Sequence, residues 1–304
     1  MGVMFLGIEI GGTKLQLGLG HGDGVLTGLW RGAVDPSQGA DGIRRQIVQA
    51  VPELRTQAKI ERGQLRGVGI GFGGPVDDAT RTVIKSHQIQ GWDNFPLTDW
   101  IGELVGLPAA LGNDADVAGL AEALFGAGKG LSPIFYITVG TGIGGGLIIN
   151  GEIYRGCGRG AAEIGHLRVP DLQGMVTILE NMASGWGMQK VLTELGGVVN
   201  SPTAAEIAEQ AARGDALARD VVGVAMDRLA EGICHVIALL CPRRIVIGGG
   251  VALMGERLLF EPLRKLVAER VFKPFAKCFD IVPAALGEEV VVHGALALAR
   301  KNIA

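Results

Sequence analysis

Only four cysteines occur in the 304-residue chain, Cys157, Cys234, Cys241 and Cys278, and no two of them form a C-x-x-C pair. That excludes a disulfide-stapled scaffold and a dithiol redox motif, and leaves a reduced, cytoplasmic protein as the expectation. No run of lysine and arginine stands out and the formal net charge is −3, so the electrostatic footprint of a nucleic-acid binder is missing. Met1-Gly2-Val3-Met4-Phe5-Leu6 has no basic n-region, no cleavage site and no Ser/Thr at position 6, so neither a leader nor a myristoyl anchor is expected. The most apolar long stretch, Val221 to Leu240, is broken by Asp227, Arg228 and Glu231. It reads as a buried helix and not as a membrane span. With 48% hydrophobic and 19% charged residues, disorder is excluded too, and the length allows one large domain or two lobes.

Glycine, by contrast, is abundant, with fifty residues clustered in turns. A glycine-threonine turn occurs twice. The first copy runs Gly7-Ile8-Glu9-Ile10-Gly11-Gly12-Thr13-Lys14-Leu15-Gln16-Leu17-Gly18, and the second runs from Ile137 through Val139-Gly140-Thr141-Gly142-Ile143 to Ile149. Each is an apolar run, a Gly/Thr tip and a second apolar run, the pattern of a β-hairpin. Such tips suit anions, because backbone N–H groups converge where no side chain blocks approach. Two of them suggest a duplicated fold gripping one polyphosphate from two sides.

Between the hairpins the periodicity predicts a helix over 39–58 interrupted by Pro52, a buried strand over Leu65–Phe72, a short helix over 96–106 and a short strand at Ala109–Leu111. Asn113-Asp114 then opens a helix through Phe125. After Ile134 the pattern restarts: hairpin to Tyr154, helices over 185–241, a strand at Arg244–Ile247, a helix near 256–271, a strand at Asp280–Val282 and a C-terminal helix over 288–302. The repeated order argues for an α/β chain with two similar lobes. Two segments, Gly69–Gly74 and Gly140–Gly145, match G-x-G-x-x-G, but the first runs into Pro75 and the second into an apolar strand, where a dinucleotide fold needs a helix. Gly126-Ala127-Gly128-Lys129-Gly130 lacks the upstream glycine and the Ser/Thr of a Walker A loop, and reads as a helix end.

Five motifs in order resemble the ROK family of sugar kinases and sugar-responsive repressors, within the actin/hexokinase/heat-shock-ATPase superfamily. They are Gly11-Gly12-Thr13-Lys14, Asn113-Asp114-Ala115-Asp116 with Leu120-Ala121-Glu122, Gly140 to Gly146, Glu163-Ile164-Gly165-His166, and Ile245 to Val251. The resemblance covers nearly the whole chain. It implies a two-lobed actin/hexokinase-like (duplicated ribonuclease H-like) α/β fold with nucleotide and sugar in the cleft. The N-terminal lobe would be 1–117, with the C-terminal helix 290–304 packing back on it, and the C-terminal lobe 118–289. Lobe closure would exclude water during transfer.

The implied activity is ATP- and Mg2+-dependent phosphorylation of a hexose, glucokinase-like. Gly11, Gly12, Thr13, Gly140, Thr141 and Gly142 would hold the phosphates, and Gly249 and Gly250 the adenosine. Lys14 is either an exposed strand lysine or a charge near the phosphates. Glu9 either holds Mg2+ through water or forms a cross-strand pair. Asp114 is the implied general base, taking the proton of the attacking sugar hydroxyl; by residue type alone, Asn113 and Asp114 also fit a helix cap. Asn113, Glu163, His166 and Glu180 would be hydroxyl ligands, with Gly74 and His87 on a loop over the sugar. His21, His235 and His293 read as structural or surface residues.

The chain departs from the family in one place. The cysteine cluster that carries a structural zinc in most members is absent between Leu167 and Glu180, so no zinc site is expected. Packing by Leu172, Met175, Val176 and Ile178 would shape that loop instead. Two further readings stay open: a kinase for N-acetylmannosamine, mannose, fructose or allose, and a non-catalytic sugar sensor. Beyond a small-molecule sugar, the partner implied is a second copy in a homodimer.

Overall fold

The computed structural model describes residues 3–86, 88–196 and 202–303. The chain divides into two units. The first comprises 1–130, 146–161 and 285–304, and the second 131–145 and 162–284. The division expected from the sequence, 1–117 with 290–304 against 118–289, has two crossings, whereas the chain passes between the units four times.

The first unit is built on five strands, β1 (Met4–Ile10), β2 (Lys14–Gly20), β3 (Leu26–Ala33), β4 (Leu65–Phe72) and β7 (Ala109–Asn113), in the order β3-β2-β1-β4-β7. A two-residue pair, β5 (Val76–Asp77) with β6 (Thr82–Val83), lies between β4 and β7 in the chain. β1 runs antiparallel to β2 and parallel to β4, which is parallel to β7. Ile8, Ile10, Leu15, Leu17 and Ile70 face Ile43, Ile47 and Leu54 of helix α1 (Gly39–Gln57) and Leu97, Ile101 and Val105 of α2 (Leu97–Val105), forming one buried core.

The opposite face of the sheet receives α3 (Asp114–Leu124) and α9 (Val290–Ile303). Glycine is what lets α9 in. A Cβ on Gly69 would overlap the Ala295 carbonyl, one on Gly7 would stand 2.9 Å from the Val292 oxygen, and one on Gly294 would overlap the Val117 carbonyl of α3. The glycines at 69 and 71 that mimic a dinucleotide fingerprint are thus packing residues, turned to a helix and not to a phosphate. A fully buried carboxylate locks the same region. Glu122, with no exposed surface, accepts from Ala127 N at 2.7 Å and from Ala285 N and Leu286 N at 2.9 Å each. These three backbone donors satisfy carboxyl oxygens that would otherwise be costly to bury.

The strands of the other sheet are β8 (Ile134–Val139), β9 (Ile143–Ile149), β10 (Glu152–Ile153), β13 (Arg244–Gly248) and β14 (Asp280–Pro283), in the order β10-β9-β8-β13-β14. The order repeats that of the first sheet, strand for strand. β8, β13 and β14 are parallel. The helices of the second unit gather on α7 (Ala216–Leu240), which meets α4 (Glu180–Ala183), α5 (Gly185–Gly196), α6 (Ala204–Arg213) and α8 (Glu261–Arg270). Among the described residues, no helix is long and apolar enough to cross a membrane.

The segment between Leu167 and Glu180 corrects one expectation. Two of the four residues expected to pack there do not: Met175 is 68% and Val176 71% exposed, while Leu172 and Ile178 are half-buried. The segment forms a hairpin of β11 (Arg168–Pro170) and β12 (Val176–Ile178). Asp171 closes its tip by accepting from Gln173 N at 2.9 Å and Met175 N at 2.8 Å, while Arg228 of α7 donates to Pro170 O at 2.7 Å.

Candidate active site

In the first unit the register sets the site. Ile10 lies opposite Phe72, and Phe72 opposite Asn113, so three parallel strands end level with one another. Ligands of parallel α/β sheets gather at such carboxyl ends. β1 runs into the Gly11-Gly12-Thr13 turn, β4 into the Gly73-Gly74 turn, and β7 into Asp114. Gly11 N donates to Lys14 O and Val34 N to Thr13 O, each at 3.0 Å, which folds the tip back and leaves the Thr13 side chain exposed. Gly73 N donates to Ile10 O at 2.8 Å, joining two of these ends.

Asn113 is the N-cap of α3. Its side-chain oxygen accepts from Ala115 N at 2.9 Å, and its amide donates to Gly74 O at 3.0 Å. The capping reading is therefore realised, and the cap also ties the Gly74 loop to the helix. Asp114 is the first residue of α3, where the helix field favours negative charge. One of its oxygens accepts from Ala115 N at 2.8 Å; the other stands 3.4 Å from where a Cβ on Gly73 would be.

Glu9 is 5% exposed, and its Oε1 lies 3.1 Å from Lys14 Nζ, which also donates to Glu288 O at 3.0 Å. Burial pushes the Glu9 carboxyl up to about 7; Lys14 pulls it down, and Asp114 and Glu288 push it further up. Its Oε2 is buried without a hydrogen-bond partner among the described residues. The cross-strand pair is thus present, and one carboxylate oxygen is left over, which fits a hydrated divalent cation. Because the folded carboxyl binds its proton more tightly than the unfolded one, stability falls as pH rises from about 4.5 through about 7. The loss is on the order of 3 kcal/mol. We expect Glu9→Gln to flatten the decline of melting temperature between pH 5 and pH 8, measured by scanning calorimetry; an unchanged slope counts against it.

Sequence reasoning missed Gln88. Its carboxamide lies where a Cβ on Gly12 would stand, so it covers the Gly11–Thr13 tip. Its backbone N donates to Ser86 Oγ at 3.4 Å, and Ile89 N to the same oxygen at 3.1 Å. No motif marks such a residue, because its role depends on where the loop lands. The neighbouring His87 lies outside the described residues.

In the second unit the equivalent edge is formed by Thr138 opposite Gly248, and by Ile247 opposite Pro283. Gly140 N donates to Gly142 O at 2.9 Å, closing a tight turn that exposes Thr141. A Cβ on Gly140 would meet nothing within 4 Å, so ligand can approach this backbone. Gly142 is different: a Cβ there would overlap the Glu180 carboxylate, whose Oε2 accepts from Ile143 N at 2.8 Å. Glu180, expected as a sugar ligand, braces the Gly140–Gly142 turn. Gly145 and Gly165 make room for the carbonyls of Ala162 and Ile143, so the 162–166 segment lies flush on the start of β9. There Glu163 precedes a single 3-10 turn, Ile164–His166, closed by His166 N on Glu163 O at 3.0 Å. Leu179 N donates to Leu167 O at 2.9 Å and brings Glu180 beside the same segment. The segment that carries Glu163 and His166 and the carboxylate of Glu180 thus both lie against the Gly142–Ile143 stretch. Gly249, at φ 86°, presses its backbone on Val139, where a Cβ would stand 2.5 Å from the carbonyl oxygen. Gly250 faces open space.

Ala162 holds φ 63°, a left-handed conformation unfavourable to a side chain. We expect Ala162→Gly to stabilise the protein by about 0.5–1 kcal/mol, the relieved strain less the added chain entropy. Thermal melting checks this, and a lowered melting temperature contradicts it. Among the described residues, no group of three or more His, Cys, Asp and Glu side chains could hold a metal ion. The four cysteines are free thiols.

The ROK family profile matches residues 5–302. A glucokinase of Thermotoga maritima is 30% identical, over 98% of this chain and 98% of its own. The crystal structure of a ROK hexokinase from Thermus thermophilus superposes with a TM-score of 0.84 at 27% identity, over 97% of each chain. A ROK glucokinase from Streptomyces griseus, solved in complex with glucose and AMPPNP, is 33% identical with a TM-score of 0.80, over 98% of this chain and all of its own.

Proposed function

The chain belongs to the ROK family and is a sugar kinase, and from that premise we propose that it transfers the γ-phosphoryl group of ATP to a hexose hydroxyl, with glucose the preferred acceptor. The single observation that carries the chemistry is Asp114, held by the Asn113 cap at the level edge of β1, β4 and β7. Phosphoryl transfer asks little covalent help of a protein and much positioning. Asp114 accepts the proton of the sugar hydroxyl as that oxygen bonds to the γ-phosphorus, and the bond from phosphorus to the β-phosphate oxygen breaks to release ADP. Asn113, Glu163, His166 and Glu180 hold the hydroxyls, with Gly74 on the loop beside Asn113. Thr13, Thr141 and the amides of Gly11, Gly12, Gly140 and Gly142 hold the phosphates, with Lys14 as a nearby charge; Gly249 and Gly250 take the adenosine. Mg2+, when bound, neutralises phosphate charge, and the spare oxygen of Glu9 would hold it through water.

Support for glucose comes from the glucokinases of the family at about a third identity across the full chain. A coupled ADP-release assay across glucose, mannose, fructose, allose and N-acetylmannosamine tests it. The expected result is the highest kcat/KM for glucose; a higher value for any other sugar reassigns the acceptor.

A further inference from the structure

We propose that Trp186 is the platform on which the nucleobase of the phosphoryl donor stacks. This rests on the kinase reading above and adds to it the residue that makes the donor a nucleotide and not a bare polyphosphate. Three observations in the second unit carry it.

First, Trp186 is held against the phosphate turn by the backbone. Its N–H donates to Thr141 O at 3.3 Å, and the preceding Gly185 N donates to Gly140 O at 2.7 Å. A Cβ on Gly185 would stand 3.0 Å from the Gly140 oxygen, so no side chain intervenes between the start of α5 and the turn. Second, other elements close around the same point. Gly249 presses on Val139, the residue before Gly140; the 3-10 turn Gly250–Met254 touches α6; and Ala204, which opens α6, lies 3.5 Å from that same notional Gly185 Cβ. The end of β8 is therefore ringed by the starts of α5 and α6 and by the 250–254 turn. Third, this ring carries exposed apolar side chains where a phosphate turn alone needs none. Trp186 is 56% and Leu253 87% exposed, whereas Trp92 is fully buried. An inorganic polyphosphate has no apolar face to offer an indole. A nucleotide does: its base lies beyond the phosphates and gains by stacking on an aromatic ring.

The test is calorimetric titration of the full chain and of its Trp186→Ala and Trp186→Phe variants with ADP and, separately, with inorganic tripolyphosphate. Trp186→Ala should weaken ADP about tenfold or more, Trp186→Phe less than threefold, and tripolyphosphate should bind all three alike. Indole fluorescence should change on ADP binding in the wild type and lose that response in Trp186→Ala. The proposal is overturned if Trp186→Ala binds ADP as tightly as the wild type, or loses tripolyphosphate in the same proportion, or changes only its sedimentation, which would make Trp186 a contact between copies. A wild type that binds neither ligand would sink the kinase reading itself, an outcome distinct from the others.

Discussion

Asp114→Asn is expected to lower the rate of hexose phosphorylation by about 10³-fold while leaving hexose affinity within a few-fold of the wild type. The substitution keeps the size and the hydrogen bond from Ala115 N, so α3 should start as before. It removes the basic oxygen proposed to accept the hydroxyl proton. The neighbouring Asn113 already supplies the helix cap, with its oxygen 2.9 Å from Ala115 N, so the loss falls on chemistry and not on folding. The coupled assay reads kcat, and calorimetric titration with glucose reads affinity. Turnover near that of the wild type would remove Asp114 from the reaction; loss of glucose binding with kcat intact would make it a sugar ligand only.

Gly294→Ala is expected to have the largest effect on stability. The Cβ it adds would overlap the Val117 carbonyl and stand 2.8 Å from the Val117 Cγ1, and neither α9 nor α3 can answer by turning a side chain aside. The two helix backbones must separate. Overpacking costs typically 1–3 kcal/mol, and a backbone clash belongs at the upper end, about 3 kcal/mol or more. That corresponds to a fall of roughly 6–12 °C in melting temperature. Val117 lies three residues after Asp114 on the same helix, so kcat should fall with the stability even though Gly294 touches no substrate. Scanning calorimetry and the coupled assay together check this; a melting temperature within 2 °C of the wild type, as a rough bound, would show that the helices have slack.

Much of the architecture is legible in the residues. Both hairpins follow from β-branched runs around Gly/Thr tips, and Asn113 announces the start of α3 because its side chain can satisfy helix N–H groups. The roles of single glycines are not legible in this way. Gly140 and Gly142 look alike in sequence, yet one faces open space and the other makes room for the Glu180 carboxylate. Which it is depends on a residue far along the chain. The hairpin of β11 and β12 escapes periodicity because each strand is only three residues long and its tip is held by Asp171 rather than by an apolar pair. The return of 146–161 to the first unit is hidden for another reason. It is carried by long-range contacts such as the Arg155–Asp78 ion pair and Asp78 N on Gly158 O at 2.9 Å, which no local pattern encodes. Glu122 is similar: an acidic residue on a helix reads as solvated until the backbone of 285–286 is seen to close on it.

The central claim is transfer of a phosphoryl group from ATP to a hexose. Phosphorus NMR of the protein with ATP, Mg2+ and glucose tests it most directly, since it sees donor, product and side reactions in one spectrum. The expected result is a growing sugar-phosphate resonance matched by ADP, with no inorganic phosphate and no change when glucose is left out. ADP accumulating with inorganic phosphate alone, or ATP unchanged with every hexose offered to the folded protein, would contradict it.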